Sequence, residues 1–179
     1  MTAVVAGLDV IDRALERARD GDHDAFAEIV AEHESMVYSI AYHFFHDRDR
    51  AAEIAQEAFL QLYRSIDGIT TAHHLTHWLR QVTSRKCIDA QRRSRVRLIP
   101  MSDAGELSSP ARTRDPFLAR RLNECITRLP AMQRIILTLR YQEGLGPNEI
   151  SSVIGMRVNT VKSQLHRALR SLRKKLEGR

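Results

Sequence analysis

The sequence predicts an all-α protein: two small helical domains joined by a flexible linker, the C-terminal one a helix-turn-helix. Three observations point there. Apolar residues recur at three- and four-residue steps through most of the chain. Aromatic residues are only 6% of the total and β-branched runs are scarce, which disfavours sheet. Midway, residues 96–115 lose periodicity and hold two prolines, a glycine and three serines. A structureless stretch of about twenty residues is unusual inside one compact domain, so the boundary is expected there. The expected division is a domain over 1–95, a linker over 96–115 and a second domain over 116–179, each with its own small core.

The first domain is expected to hold three helices. Asp22 or Asp24 can cap one through residues 25–45, where Phe26, Ile29, Val30, Val37, Ile40, Ala41 and Phe44 make a helical stripe. Asp47 can cap the next, through residues 47–66, with Ala51, Ile54, Ala58, Leu62 and Ile66 inward. Gly68 and the threonine-rich run DGITTAHH interrupt the pattern. A third helix follows over 74–95, with Trp78, Val82, Cys87 and Ile88 inward and a basic end that suits the helix dipole. Beyond the linker, helices are expected at about 116–128, 131–143, 147–154 and 158–176. Pro130 and Pro147 are placed in first turns, where the missing N–H is no loss, and Gly144 just past a helix end.

Charge divides along the same line. Residues 1–70 carry 6 Lys+Arg against 14 Asp+Glu, a net −8, while residues 71–179 carry 22 against 8, a net +14. An acidic front and a basic back suggest two partners of opposite charge, the back facing a polyanion such as nucleic acid. Cys87 and Cys125 have no metal-ligand spacing and are expected as buried thiols in a reducing compartment. The first residues lack the apolar run of a signal peptide, and no stretch approaches a membrane span. A soluble, cytoplasmic protein is expected.

The sharpest motif is near the end of the chain, in NEISSVIGMRVNTVKSQLHRALRSLRKKL. A short helix buries Ile150, Val153 and Ile154, and Gly155 supplies a turn open to left-handed backbone. In the next helix Val161, Leu165, Ala168 and Leu172 make one inward stripe. The opposite face presents Asn159, Thr160, Lys162, Ser163, His166, Arg167 and Arg170. A plain helical hairpin needs neither the glycine turn nor a basic, amide-bearing outer face. The arrangement is that of a helix-turn-helix whose second helix can enter a major groove.

Three stretches carry a family resemblance. RAAEIAQEAFLQLYRSI resembles the second conserved region of sigma-70-family initiation factors, and THWLRQVTSRKCIDAQRRSR the stretch after it. RLPAMQRIILTLRYQEGLGPNEISSVIGMRVNTVKSQLHRALRSLR resembles the fourth region. Their order, spacing and short linker are similar to the extracytoplasmic function (ECF) subgroup. The resemblance implies a subunit that binds core RNA polymerase and directs promoter-specific initiation, with no catalysis, metal or cofactor of its own. Domain 1–95 would dock on the polymerase clamp and recognise and melt the −10 element, and domain 116–179 would read −35.

Residue by residue, the resemblance places Glu53, Gln56 and Glu57 against the clamp helices of the largest polymerase subunit. Carboxylates on the acidic half can also steer towards a basic partner. The −10 element would fall to a loop over Thr70–His77, including Thr70, Thr71, His74 and His77, with Trp78, Arg80, Arg85, Lys86, Arg92 and Arg93. That work needs a base pocket, a wedge against the exposed stack and cations for the backbone. Trp78 can be the wedge, but its inward period also fits core packing. His73, His74 and His77 include an i, i+4 pair without a carboxylate or thiol to complete a metal site. The −35 group would be Arg157, Asn159, Thr160, Lys162, Ser163, Gln164, His166, Arg167 and Arg170. Expected partners are core polymerase, through its clamp helices and β-flap, promoter DNA and an anti-sigma factor. By analogy alone, Asp103 and Glu106 of the linker would mimic nucleic-acid phosphates.

Four positions depart from the family pattern. Ala52 replaces a frequent acid, Arg85 a frequent asparagine, Arg157 a capping serine and Gln164 a frequent arginine. Two other classes fit less well. A self-sufficient dimeric regulator needs a heptad seam or ligand pocket that the sequence does not display. A nucleic-acid enzyme needs a P-loop, a metal cluster or a nucleophile–base pair.

Overall fold

A computed structural model describes residues 2–96 and 116–177. Among them the secondary structure is helical throughout: α1 Thr2–Arg19, α2 His23–Phe45, α3 Arg48–Arg64, a 3₁₀ turn Ile66–Gly68, α4 Ala72–Val96, α5 Pro116–Thr127, α6 Ala131–Tyr141, α7 Pro147–Ile154 and α8 Val158–Leu176. The all-α expectation holds. Asp103 and Glu106, with nearly all of the expected linker, lie outside the described residues.

α1 was not expected. Its second half is rich in charge, but Ile11, Ala14 and Leu15 fall on one face and are buried, with Ala18 packed beside them. Just past the end of the helix Gly21 turns the chain, with a φ of 91° open to glycine at little cost. Asp22, not Asp24, caps α2: its Oδ1 accepts from the Asp24 and Ala25 N–H groups at 2.9 and 3.1 Å. Arg17 reaches the same carboxylate at 2.6 Å, and these bonds hold the Asp22 carboxyl below its ordinary value, the Ala25 N–H first. Asp47 caps α3 as expected, accepting from Arg50 N–H at 3.0 Å.

The expected Thr70–His77 loop is mostly helix. Only Thr70 and Thr71 precede α4, because Ile69, Ala72 and Leu75 are buried and pull the chain into its first turn. Thr71 Oγ1 accepts from His74 N–H at 3.1 Å, and Asp12 Oδ1 of α1 accepts from Ala72 N–H at 2.5 Å. Pro130 sits at the N-cap of α6 rather than inside its first turn, whereas Pro147 does open α7. Gly144 and Gly155 both take left-handed backbone, with φ of 67° and 69°.

Apolar packing forms three clusters. One belongs to α1–α4 and includes Leu15, Ile29, Val37, Leu62, Leu75 and Leu79, with Trp78 packed at its edge. A small one, including Cys125, Leu129, Leu137, Ala168 and Leu172, belongs to α5, α6 and α8. The third was not foreseen. It joins Ile40, Phe44, Ala51, Ile54 and Cys87 of the first half to Ile135, Ile136, Leu139, Ile150 and Val153 of the second. The halves therefore share a core in addition to their own. Both cysteines are buried free thiols, and burial pushes the Cys87 thiol strongly up, which leaves it unreactive.

Candidate nucleic-acid and partner interface

α8 divides along its length as its sequence implies. Val161, Ala168 and Leu172 are buried, and Leu165 is half-buried with them. Arg157, Asn159, Lys162, Ser163, His166, Arg167 and Arg170 are exposed, and so are Arg173, Lys174 and Lys175 of the last turn. The inward stripe fixes the rotation of the helix, so the cations stand on the outward side. Arg157 sits at the N-cap without a side-chain capping bond. Its carbonyl instead accepts from Thr160 and Val161 N–H at 2.9 and 3.1 Å. Two members of the expected −35 group are less available. Thr160 is half-buried, and Gln164 Oε1 accepts from Gln133 Nε2 of α6 at 3.2 Å.

α7 sets the angle of α8. Glu149 Oε2 accepts from Gly146 N–H at 2.6 Å, Ile150 and Val153 are buried, and Gly155 turns the chain. Among the described residues, that geometry is a helix-turn-helix with a basic outer face.

On α3, Glu53 and Gln56 are exposed, beside Leu60 and Gln61, which also face outwards. Glu57 is half-buried because Lys86 of α4 donates to its Oε2 at 3.0 Å. This pairing joins two residues that sequence reasoning assigned to different partners. Glu53 and Glu57 share a cleft of about 650 Å³ with Arg50, Arg92 and Arg93, the rest of it lined by Phe45, Ile54, Ala90 and Ser94.

The −10 group is more dispersed in its surroundings. Thr70, Thr71, Arg85, Arg92 and Arg93 are exposed. His74 Nδ1 accepts from Thr70 N–H at 3.3 Å, so its proton sits on Nε2. Trp78 is half-buried against the α1–α4 core, which favours packing over a wedge. Arg80 pairs with Glu143 at 3.2 Å, and His77 Nε2 lies 3.5 Å from Ser152 Oγ. Both partners come from the second half. Burial, then His73, His74 and Arg80, hold the His77 imidazole below its usual range, so it is neutral near pH 7. Burial also pushes the Glu143 carboxyl up in spite of Arg80, so this pair fixes position more than it adds energy. Among the described residues no cluster of three or more His, Cys, Asp or Glu is placed to hold a metal.

Sequence reasoning also missed Arg134 as a junction. It is 3% exposed, lies over the Phe44 ring at 4.8 Å and donates to Phe44 O at 3.1 Å. It also donates to Gln91 Oε1 at 3.4 Å, to Leu129 O at 3.1 Å and to Thr127 O. An arginine after Leu-Pro in an apolar helix was its signal.

Comparison with known proteins matches these parts. Residues 29–97 fit the family profile of Sigma-70 region 2, and residues 119–172 that of Sigma-70, region 4. RNA polymerase sigma-H factor of Pseudomonas aeruginosa is 30% identical, covering 91% of this chain and 92% of its own. ECF RNA polymerase sigma factor SigK of Mycobacterium tuberculosis (strain H37Rv) is also 30% identical, over 93% and 94%. The chain is an ECF sigma factor of the sigma-70 family. ECF RNA polymerase sigma factor SigW of Bacillus subtilis is 26% identical over 93% and 97%. Two solved structures share the fold of this sigma factor at a TM-score of 0.68. They are CnrH in complex with the cytosolic domain of CnrY, at 21% identity over 93% and 97%, and the sigma factor RpoE with the anti-sigma factor NepR from Bartonella quintana, at 19% over 86% and 97%. As a member of its family, the protein binds core RNA polymerase and directs promoter-specific transcription initiation. Among the described residues, no helix is long and apolar enough to cross a membrane.

Proposed function

We propose how this sigma factor divides that work among its residues. The exposed α3 face, Glu53 and Gln56 with Glu57 behind them, docks on the clamp helices of the largest polymerase subunit. Domain 1–95 handles the −10 element with Thr70, Thr71, His74, His77, Trp78 and the cations of α4. Domain 116–179 rests on the β-flap and reads −35 with α8. Residues 96–115 connect the two. The protein works in the cytoplasm without catalysing a reaction itself, and an anti-sigma factor holds it when idle.

The observation that supports this best is the two-sided α8. A stripe of Val161, Ala168 and Leu172 is buried while Lys162, His166, Arg167 and Arg170 stand outward behind a glycine turn. Lys162 and Arg167 lie in the first three turns, the part able to enter a groove, and are assigned to base edges. Arg170, Arg173 and Lys174 lie further along and are assigned to phosphates. The test is reconstitution: purified chain with core polymerase, then transcription from a promoter library with the −10 and −35 positions randomised. Selection of two separate motifs supports the reading. Polymerase binding with only one motif selected refutes the division between the domains.

A further inference from the structure

The turn that carries Thr70 and Thr71 is held from both sides by one helix. Asp12 Oδ1 accepts from Ala72 N–H at 2.5 Å, and Arg19 Nη2 donates to Ile69 O at 2.5 Å. These two backbone groups bracket the threonine pair. Asp12 and Arg19 lie about two helical turns apart, so they stand on one face of α1. Both are half-buried, so water competes less for their bonds. Their neighbours on that face, Ile11, Leu15 and Ala18, pack into the α1–α4 core. At its end α1 is tied to α2 as well, where Arg17 reaches Asp22 at 2.6 Å and Glu28 at 3.4 Å. The turn is thus fastened to a helix that is itself fixed.

Each bond meets a need of the backbone. Ala72 N–H opens α4 and has no partner within that helix, and a carboxylate there meets the positive end of the dipole. Ile69 is buried, and its carbonyl needs a donor from the protein. With the backbone served by α1, the side chains of the turn are left to one another and to solvent. Thr70 N–H and Oγ1 lie 3.3 Å from His74 Nδ1, and Thr71 Oγ1 accepts from His74 N–H at 3.1 Å. Thr70 and Thr71 are exposed, and the three residues together form a short polar edge of fixed shape. α1 precedes residues 29–97, which fit the region 2 profile, so this support comes from outside the matched stretch.

We propose that Asp12 and Arg19 are positioning residues for −10 recognition, which hold the 69–72 turn as a preformed reading edge and touch no DNA themselves. The proposal rests on the assignment of Thr70, Thr71 and His74 to the −10 element. A threonine pair in a loose turn loses backbone freedom when it meets a base, and that loss is subtracted from recognition. Fastened to α1, the turn loses that freedom on folding. Its geometry can then favour one base over another.

The test uses the full chain with core polymerase and a promoter library randomised at −10 and −35. Asp12→Ala and Arg19→Met should each flatten the −10 preference, on the order of ten-fold for the loss of one charged hydrogen bond. Polymerase affinity and −35 preference should stay as in wild type, which a general loss of folding would not allow. Asp12→Asn keeps an acceptor oxygen and should restore the −10 preference. It should also restore the slow hydrogen exchange of Ala72 N–H that Asp12→Ala abolishes. Should Asp12→Ala fail to fold, Arg19→Met leaves the α4 cap in place and carries the same expectation. The double variant Thr70→Val, Thr71→Val tests the assignment beneath the proposal. A −10 preference changed by the double valine but by neither α1 variant overturns the positioning role. So does Asp12→Asn behaving as Asp12→Ala does. A preference unmoved by the double valine refutes the −10 assignment instead, and exchange at Ala72 still judges whether α1 holds the turn.

Discussion

Replacing Arg134 with methionine should cost this sigma factor about 3 kcal/mol of stability. Three of the groups it bonds are backbone carbonyls at helix ends: Phe44 O in the last turn of α2, Thr127 O at the end of α5 and Leu129 O just beyond. Such carbonyls have no partner within their own helix and carry the negative end of its dipole. One guanidinium therefore caps two helices from opposite halves of the chain. Methionine matches the stem and can still pack on Phe44, but it leaves these carbonyls buried, at ~1–3 kcal/mol each if unsatisfied. The three together come to roughly 3–9 kcal/mol; relief from burying a charge offsets part of that and brings the net down to about 3 kcal/mol. For a chain of this size it lowers Tm by about 6–12 °C, which calorimetry or a urea titration resolves. Arg134→Lys keeps the charge without the planar fork and should recover less than half. A fall under about 2 °C for the methionine variant, at unchanged cooperativity, would show that the guanidinium is dispensable as a cap.

Glu53→Lys should leave melting unchanged, whereas Glu57→Lys, set against Lys86, should lose up to about 1 kcal/mol; both should weaken core-polymerase binding, and normal binding by Glu53→Lys would remove α3 from the docking surface. Arg173→Ala should reduce the slope of log affinity against log salt by ~0.9 with the −35 preference intact. Lys162→Ala and Arg167→Ala should change that preference, each at a cost of about 1–3 kcal/mol, and selection from a −35 library separates the two kinds of residue. His46 lies beside His43 and Arg134 with its pKa pushed down to about 4, mainly by burial, from an ordinary 6.5. Its contribution to stability is thus complete above about pH 6.5 and is lost as pH falls towards 4, roughly 1 kcal/mol of it by pH 5.5. His46→Asn tolerates the left-handed φ of 53° at this position and should flatten that slope; an unchanged slope between pH 7 and 5.5 would put the titration elsewhere.

What the sequence made legible is what one segment decides for itself. A stripe such as Val161, Leu165, Ala168 and Leu172 settles both the helix and its outward face, because burial along a helix repeats every three to four residues. The caps at Asp22 and Asp47 and the turns at Gly144 and Gly155 are equally local. α1 escaped because its stripe is short and set among arginines and acids, so that periodicity gave way to charge. The Thr70–His77 segment escaped for the reverse reason: polar composition resembled a loop, while burial of Ala72 and Leu75 by other helices drew it into α4.

The site was legible by charge and not by pairing, and the difference changes what the charges can do. Counted along the chain, Arg80, Arg85, Lys86, Arg92 and Arg93 are five cations on one helix, ready for a nucleic-acid backbone. In the folded chain Lys86 is tied to Glu57, 29 positions away, and Arg80 to Glu143, 63 positions away. Neither acid lies within reach on α4, so no helical period announces the pairing. Arg85, Arg92 and Arg93 stay exposed, and two of them line the cleft that also holds Glu53 and Glu57. A polymerase surface drawn to those acids therefore meets arginines assigned to −10 DNA in the same cleft. On the proposed assignments, docking on α3 and the approach of DNA to the end of α4 would be neighbouring events. By contrast, Arg80 and His77, further up the same helix, face Glu143 and Ser152 of the second half. Which cations of α4 can meet a nucleic-acid backbone is thus set by which acid each has found.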